Sequence, residues 1–391
     1  MSAAPIPDGS VSTRAGVALQ YIGVVSLLIA GLQPVILGGL AAAQRLTVSQ
    51  IGVAATVELL ALGAACGLAA GFLKPTALRT KLAAAGVAHA LCNLASVWVS
   101  GGELIAVRGL CGLFAGLMLW GTISMISRSA HPERQAGVFA TVQTVAQLAL
   151  AAILPPTVMA MGGVNAALIC LAVISVTAAG AALWAPAAMA ELPKDESGSG
   201  AIPPLAWAGL AAAFLYMAFI VAIWVYLEPL ALSVGLTSAQ AQRAVAAALA
   251  LQVLGALAAT LLGPRLSSSA VLIGCGVLNV GLLLGLSAAP SGPVFLGLVA
   301  AYGFLWMFVL PFYTAFLIRI DPTRRGSMQL GAAQLLGSSA GPLAASLLVG
   351  DTDATGAMRL AGVCLALALG LLLVIAGRLR LRGRVAVEAA G

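Results

Sequence analysis

Charge is what this sequence has least of. Only 19 basic and 12 acidic side chains occur in 391 residues, 8% of the chain, against ~25% in a soluble globular protein. Histidine occurs twice, and aromatic residues make up 5%. There is no nucleotide-binding loop, no zinc-ligand spacing and no nucleophile–base constellation. An intramembrane enzyme would need a His/Asp/Glu cluster that this chain lacks, so no enzymatic role and no cofactor is expected. The six cysteines lie inside apolar runs and none forms a close pair. That pattern speaks for small buried thiols and against a disulfide framework or metal site. The first 15 residues are polar and carry Pro5, Pro7 and Asp8, and the apolar stretch after them is too long for a signal-peptide core. The end, Glu388-Ala389-Ala390-Gly391, has no prenylation box.

Apolar residues are abundant instead. They make up 61% of the chain, and the mean hydropathy is +1.08. At ~20 apolar residues per membrane-spanning helix, this is enough for about 12 spans. Water-soluble enzymes, nucleic-acid binders and disordered scaffolds are excluded. The net charge of +7 does not point to nucleic acid, because the basic residues sit in short loops beside apolar runs, where they report topology.

Charges, Pro and Gly divide the apolar sequence into spans at 16–42, 48–73, 82–99, 104–127, 137–158 and 164–184, then 205–227, 242–263, 271–288, 294–318, 328–349 and 358–376. Each is apolar all round, as backbone groups in lipid must be satisfied within their own segment. The longest polar stretch, 185–204, holds Glu191, Lys194, Asp195 and Glu196 among Gly and Ser and reads as a solvated linker. The expected organisation is a cytoplasmic N-terminal tail (1–15), a six-helix bundle (16–184), the linker (185–204), a second six-helix bundle (205–376) and a basic tail (377–391). With the N-terminus cytoplasmic, fifteen basic residues fall on that side. Only Arg45, Arg243 and Arg359 fall opposite, and Arg108 lies within a span. The bias places both termini and the linker in the cytoplasm.

The halves repeat. Leu32-Gln33-Pro34 closes span one, and Leu227-Glu228-Pro229 closes span seven. Gly63 and Gly255 correspond in spans two and eight. His131-Pro132-Glu133-Arg134 follows span four, and Asp321-Pro322-Thr323-Arg324 follows span ten. Parallel six-span repeats imply a pseudo-two-fold axis along the membrane normal.

This 6+6 layout with its linker resembles the major facilitator superfamily over essentially the whole chain. The sharpest local likeness is Arg108-Gly109-Leu110-Cys111-Gly112 in span four, similar to the family's Arg-x-x-x-Gly motif. The loop after span two matches the family's signature at Gly71, Leu73 and Arg79, but Pro75 stands where the family has Asp. The family's span-five string Gly-x-x-x-Gly-Pro is absent there; a similar one, Gly337 to Pro342, lies in span eleven. The resemblance implies an all-α membrane protein of two pseudo-symmetric six-helix bundles, with Gly71, Arg79, Gly112, Arg134 and Arg324 as gating-motif residues. Spans one, four, seven and ten would line a central cavity.

Ionisable residues inside a bilayer are functional suspects. Glu58 lies about ten residues into span two and Arg108 four into span four, a depth difference of ~9 Å. Glu58 is either a proton carrier or one half of a static pair with Arg108. Arg108 is either a coupling partner or anion anchor, or a structural clamp. Glu228 is either an interfacial carboxylate or, paired by the repeat with Gln33, part of a gate or solute contact. Tyr302, Trp306 and Tyr313 share one face of span ten and form either a ring-binding wall or a packing seam. His89, Asn93, Gln143 and Gln147 are either solute contacts or interhelical hydrogen-bonders. The expected function is secondary active transport of a small organic solute, amphipathic or anionic, by alternating access with protons as coupling ion. The alternatives are a drug or metabolite efflux antiporter, and a non-transporting receptor or assembly protein on a transporter-like fold. The expected setting is a bacterial inner membrane, as a monomer in the lipid bilayer.

Overall fold

The computed structural model describes residues 12–129, 132–189, 202–321, 325–350 and 353–388. Among them are fourteen α-helices and no β-strand, only one isolated bridge. The chain forms two compact units: Met1–Arg45 with Val57–Ser197, and Leu46–Thr56 with Gly198–Gly391.

The first unit holds α1 (Thr13–Ala42), most of α2 (Val48–Phe72), α3 (Leu78–Ala95), α4 (Gly101–Ile126), α5 (Pro132–Ile153) and α6 (Ala160–Ala181). Ser12 caps α1 by accepting from the Ala15 amide, which satisfies one of the orphan donors of a helix start. Helix α1 packs against α4, α5 and α6, and α3 against α4 and α6. At the far end of α1, Arg45 gathers the loops. Its guanidinium donates to Asn165 Oδ1 at 2.6 Å and to the carbonyls of Ser96 and Val99.

The second unit holds α7 (Pro204–Val225), α8 (Leu227–Ser233), α9 (Ser238–Leu262), α10 (Ser268–Ser287), α11 (Gly292–Ile320), the single turn α12 (Arg325–Met328), α13 (Leu330–Ser346) and α14 (Thr355–Glu388). Helix α7 packs against α13 and α14, α11 against α9 and α10, and α10 against α14. In lipid, helices associate through close backbone approach rather than the hydrophobic effect. Gly337 and Gly341 bring α13 onto the Phe214 and Ala218 carbonyls of α7, where a Cβ would sit 2.2 Å from each oxygen.

Nine helical runs are long and apolar enough to cross a membrane among the described residues. The difference from twelve has three local causes. The run Gln135–Trp184, 50 residues long, contains two of the expected spans. They join through a π-helical turn, Pro155–Met159, and divide at Gly162 and Gly163, the latter at φ 61°, a conformation only glycine adopts without steric cost. Helix α3 carries Arg79 and Lys81 in its first turn, and α13 has 17 residues. The expected span 205–227 is two pieces, broken at Tyr226, which caps α7 and opens α8. The expected tail 377–391 is helical as far as Glu388. Most of the expected linker and N-terminal tail lie outside the described residues.

Candidate functional site

In the first unit, Arg108 and Glu58 meet. They are 1% and 0% exposed. Arg108 Nε donates to Glu58 Oε2 at 3.1 Å, and its Nη2 donates to Oε1, a two-pronged pair. Its Nη1 donates to Asn93 Oδ1 at 2.9 Å. Planar fork-to-carboxylate pairing of this kind is the strongest geometry available to the two groups, and burial removes the water that would otherwise screen it.

Helix α4 is shaped to bring this about. One turn after Arg108, a Cβ on Gly112 would lie 2.1 Å from the Glu58 carbonyl oxygen. Arg108 therefore holds the Glu58 side chain while Gly112 rests against its backbone. The two residues of the Arg-x-x-x-Gly motif address one residue of α2. Gly112→Val would force α4 off α2, and we expect a loss of about 1–3 kcal/mol, the usual cost of overpacking. A lowered thermal unfolding midpoint in detergent would register it, and an unchanged midpoint would contradict this packing.

The polar chain continues through α3 into α6. Asn93 Nδ2 donates to the His89 carbonyl at 3.1 Å. His89 Nδ1 lies 2.8 Å from Ser175 Oγ, whose own hydrogen goes to the Leu171 carbonyl at 2.7 Å. Asn93 Nδ2 also lies 3.4 Å from His89 Nδ1, so the ring tautomer sets which of these neighbours the imidazole donates to or accepts from. Val25, Leu28 and Ile29 of α1 close this group over a cavity of about 10 Å³, roughly the room of one water. Ser175 escaped the sequence reading; its only signal was a hydroxyl, shared with Thr177, in a largely apolar stretch of helix.

Gln33 lies buried just before Pro34 in α1, and its Nε2 has no hydrogen-bond partner. Gln147 Nε2 donates to the Leu27 carbonyl at 2.7 Å and ties α5 to α1. Gly71 lies in the last turn of α2. Arg79 Nε donates to the Ala185 carbonyl at 2.6 Å. Around it, Leu78 N donates to Ala187 O at 3.0 Å, Met189 N donates to Pro75 O at 2.9 Å, and Thr76 forms an antiparallel bridge with Ala188. The loop after α2 is thus strapped to the first residues after α6. The side chain of Arg134 and the whole of Arg324 lie outside the described residues.

In the second unit, the predicted aromatic face of α11 turns onto α7. Tyr302 and Tyr313 are buried. The Tyr302 hydroxyl donates to the Ile220 carbonyl, and the Tyr313 hydroxyl donates to that of Ala212 at 3.5 Å. Tyr216, which the sequence reading missed, meets Tyr313 at a tilt of 53° with ring centres 5.6 Å apart and accepts from Asn279 Nδ2 at 3.1 Å. Trp306 meets Trp224 edge-on at 5.6 Å and remains half-buried. Both tyrosine hydroxyls are engaged by α7 backbone, leaving the Trp306 indole as the partly open ring of the three.

Glu228 lies in α8, beyond the span Pro204–Val225. It is 2% exposed, and its Oε2 has no hydrogen-bond partner. Burial pushes its carboxyl up to about 7, against a smaller opposing pull from the Ser238 hydroxyl. Nearby, Tyr226 Oη accepts from the Gly52 amide at 3.1 Å, and Thr56 Oγ1 donates to the Ser339 carbonyl at 2.8 Å. A cavity of about 290 Å³ opens where α8, α10, α11 and α14 end or begin, between Leu230, Phe295 and Arg359. No group of three or more His, Cys, Asp or Glu that could hold a metal occurs among the described residues.

By sequence, neither a family model nor a curated protein matches. By structure, the likeness is extensive. A mutant form of the nucleoside transporter NupG superposes at TM-score 0.71 with 11% identity, covering 93% of this chain and 99% of that one. A bacterial homolog to the human lysosomal transporter Spinster, inward-facing and unoccupied, superposes at 0.61 with 13% identity, over 94% and 96% of the two chains. FucP, a major facilitator superfamily transporter in the outward conformation, superposes at 0.58 with 14% identity, over 92% and 98%. The chain has the fold of major facilitator superfamily transporters.

Proposed function

We propose that this protein is a secondary active transporter that moves a small organic solute across a membrane by alternating access, coupled to protons. The observation that carries this reading is that transporters of one fold match the chain almost end to end. The buried, charged pair Glu58–Arg108 supports it, because ion pairs inside spans are rare outside ion and solute pathways. Arg108 has three of its nitrogens engaged, by Glu58 and Asn93. It acts as a clamp, and an amphipathic solute suits the chain better than an anionic one. NupG is a nucleoside transporter, so nucleosides head the solutes to try. Gly71, Arg79, Gly112, Arg134 and Arg324 would serve gating, and Gln33, Glu228, Tyr302, Trp306 and Tyr313 the pathway. The basic-residue bias orients both termini to the cytoplasm, in a bacterial inner membrane, with the chain acting as a monomer and without enzymatic activity.

The test is flux in proteoliposomes holding the purified protein, with nucleosides, aromatic acids, amphipathic cations and sugars offered in turn under an imposed pH gradient. One class is expected to accumulate and to dissipate the gradient as it does so. Accumulation without pH change would remove proton coupling. Silence throughout would leave the receptor or assembly reading standing.

A further inference from the structure

Two buried carboxylates compete for the role of proton carrier, and their surroundings differ in kind. Glu58 gives both oxygens to Arg108. Protonating it would strand a buried guanidinium, and breaking such a pair from one side is strongly unfavourable. Glu228 has no such constraint. Helix α7 brings no charged side chain to it, only Tyr216 as a titratable group. Helix α9 brings Ser238 and one charge, Arg243, which is exposed with its Nε on the Ala239 carbonyl. Residues 46–56, in the same unit, include no ionisable group. Arg359 of α14 faces Leu230 and Ser233 across the 290 Å³ cavity, and Asp353 is bonded to Thr355. Within α8, Glu228 is the one ionisable residue; Tyr226, which caps it, has its hydroxyl on the Gly52 amide.

Glu228 also sits at a break. Tyr226, two residues earlier, leaves helical geometry at φ −95°, ψ 11°, and Pro229 follows. A buried oxygen without a donor is costly as an anion and tolerable as a neutral acid. Charging the carboxyl therefore favours any rearrangement at the break that lets water or a donor reach Oε2, and neutralising it favours the closed arrangement.

We infer that Glu228 is the group through which this chain takes up and releases its coupling proton, while Glu58 stays ionised against Arg108. The inference rests on the proton-coupled reading above, and its test requires no solute. Infrared difference spectra would be recorded on the full chain in phosphatidylethanolamine–phosphatidylglycerol vesicles as pH is stepped from about 5 to about 9. The wild type is expected to show the carbonyl signal of a buried carboxylic acid, titrating near 7. Glu228→Gln is expected to abolish it, and Glu228→Asp to shift its midpoint. A signal that persists in Glu228→Gln overturns the inference, as does its absence from the wild type. Should the Gln variant not fold, an unchanged midpoint in Glu228→Asp overturns it equally. The spectra can fail while solute flux succeeds, so loss of this inference is distinguishable from loss of the transporter reading.

Discussion

Glu58→Gln is expected to destabilise the first helical bundle by about 3–5 kcal/mol, the cost of leaving a buried charge without its partner. Arg108 would keep its bond to Asn93, but the fork that met the carboxylate would face an amide with a single acceptor oxygen. Arg108→Gln should cost a similar amount by stranding the carboxylate. The joint replacement Glu58→Leu with Arg108→Met should be far milder than the sum of the two, because apolar substitutes of similar volume remove both desolvation costs at once. Unfolding midpoints of wild type, Glu58→Leu, Arg108→Met and the joint variant in detergent form a double-mutant cycle. A coupling energy near zero would mean that the pair contributes nothing beyond its parts, and the clamp role given to Arg108 would fall with it.

The second large effect is a pH slope. The Glu228 carboxyl moves from an ordinary value of 4.5 to about 7 on folding. Between those values the native state holds a proton that the unfolded chain has released. Stability therefore falls as pH rises from about 4.5 to about 7, and the contribution is fully present only below that window. Each pKa unit corresponds to ~1.4 kcal/mol, so the whole step is of order 3 kcal/mol. Glu228→Gln, neutral throughout, should flatten the slope and lose least, relative to wild type, under alkaline conditions. Comparing unfolding midpoints of the two proteins on either side of neutrality checks this. Parallel pH profiles would show that the carboxyl is not held neutral by burial.

The helices were legible in the sequence because long apolar runs have few structural alternatives in lipid. The pairing of Glu58 with Arg108 was only half legible. Each stood out as a charge in an apolar run, but the expected start of span four at residue 104 put them ~9 Å apart in depth. Helix α4 begins at Gly101, three residues earlier. The gap shrinks to ~4.5 Å, which an arginine side chain spans. The shared face of Tyr302 and Tyr313 followed from helical period, but period does not say which neighbour a face meets. Carbonyls of α7 at Ile220 and Ala212 decided that. The polar run from Asn93 to Ser175 was the least legible, since it joins α3 to α6 across residues 86 apart in sequence, and nothing local marks such a pairing.

The strap between the loop after α2 and residues 185–189 moves the end of the first unit's bonded structure along the chain. With Ala185, Ala187 and Met189 bonded back to Arg79, Leu78 and Pro75, the chain leaves the first bundle at Met189 rather than at the end of α6. About 14 residues then remain before Pro204 begins α7, a contour of at most ~50 Å. Peeling the strap would add five residues, or about 17 Å. Two backbone bonds on one loop thereby decide how many residues of the sequence lie between the bonded part of the first unit and α7, and the left-handed Ala77 at φ 51° stands in that loop.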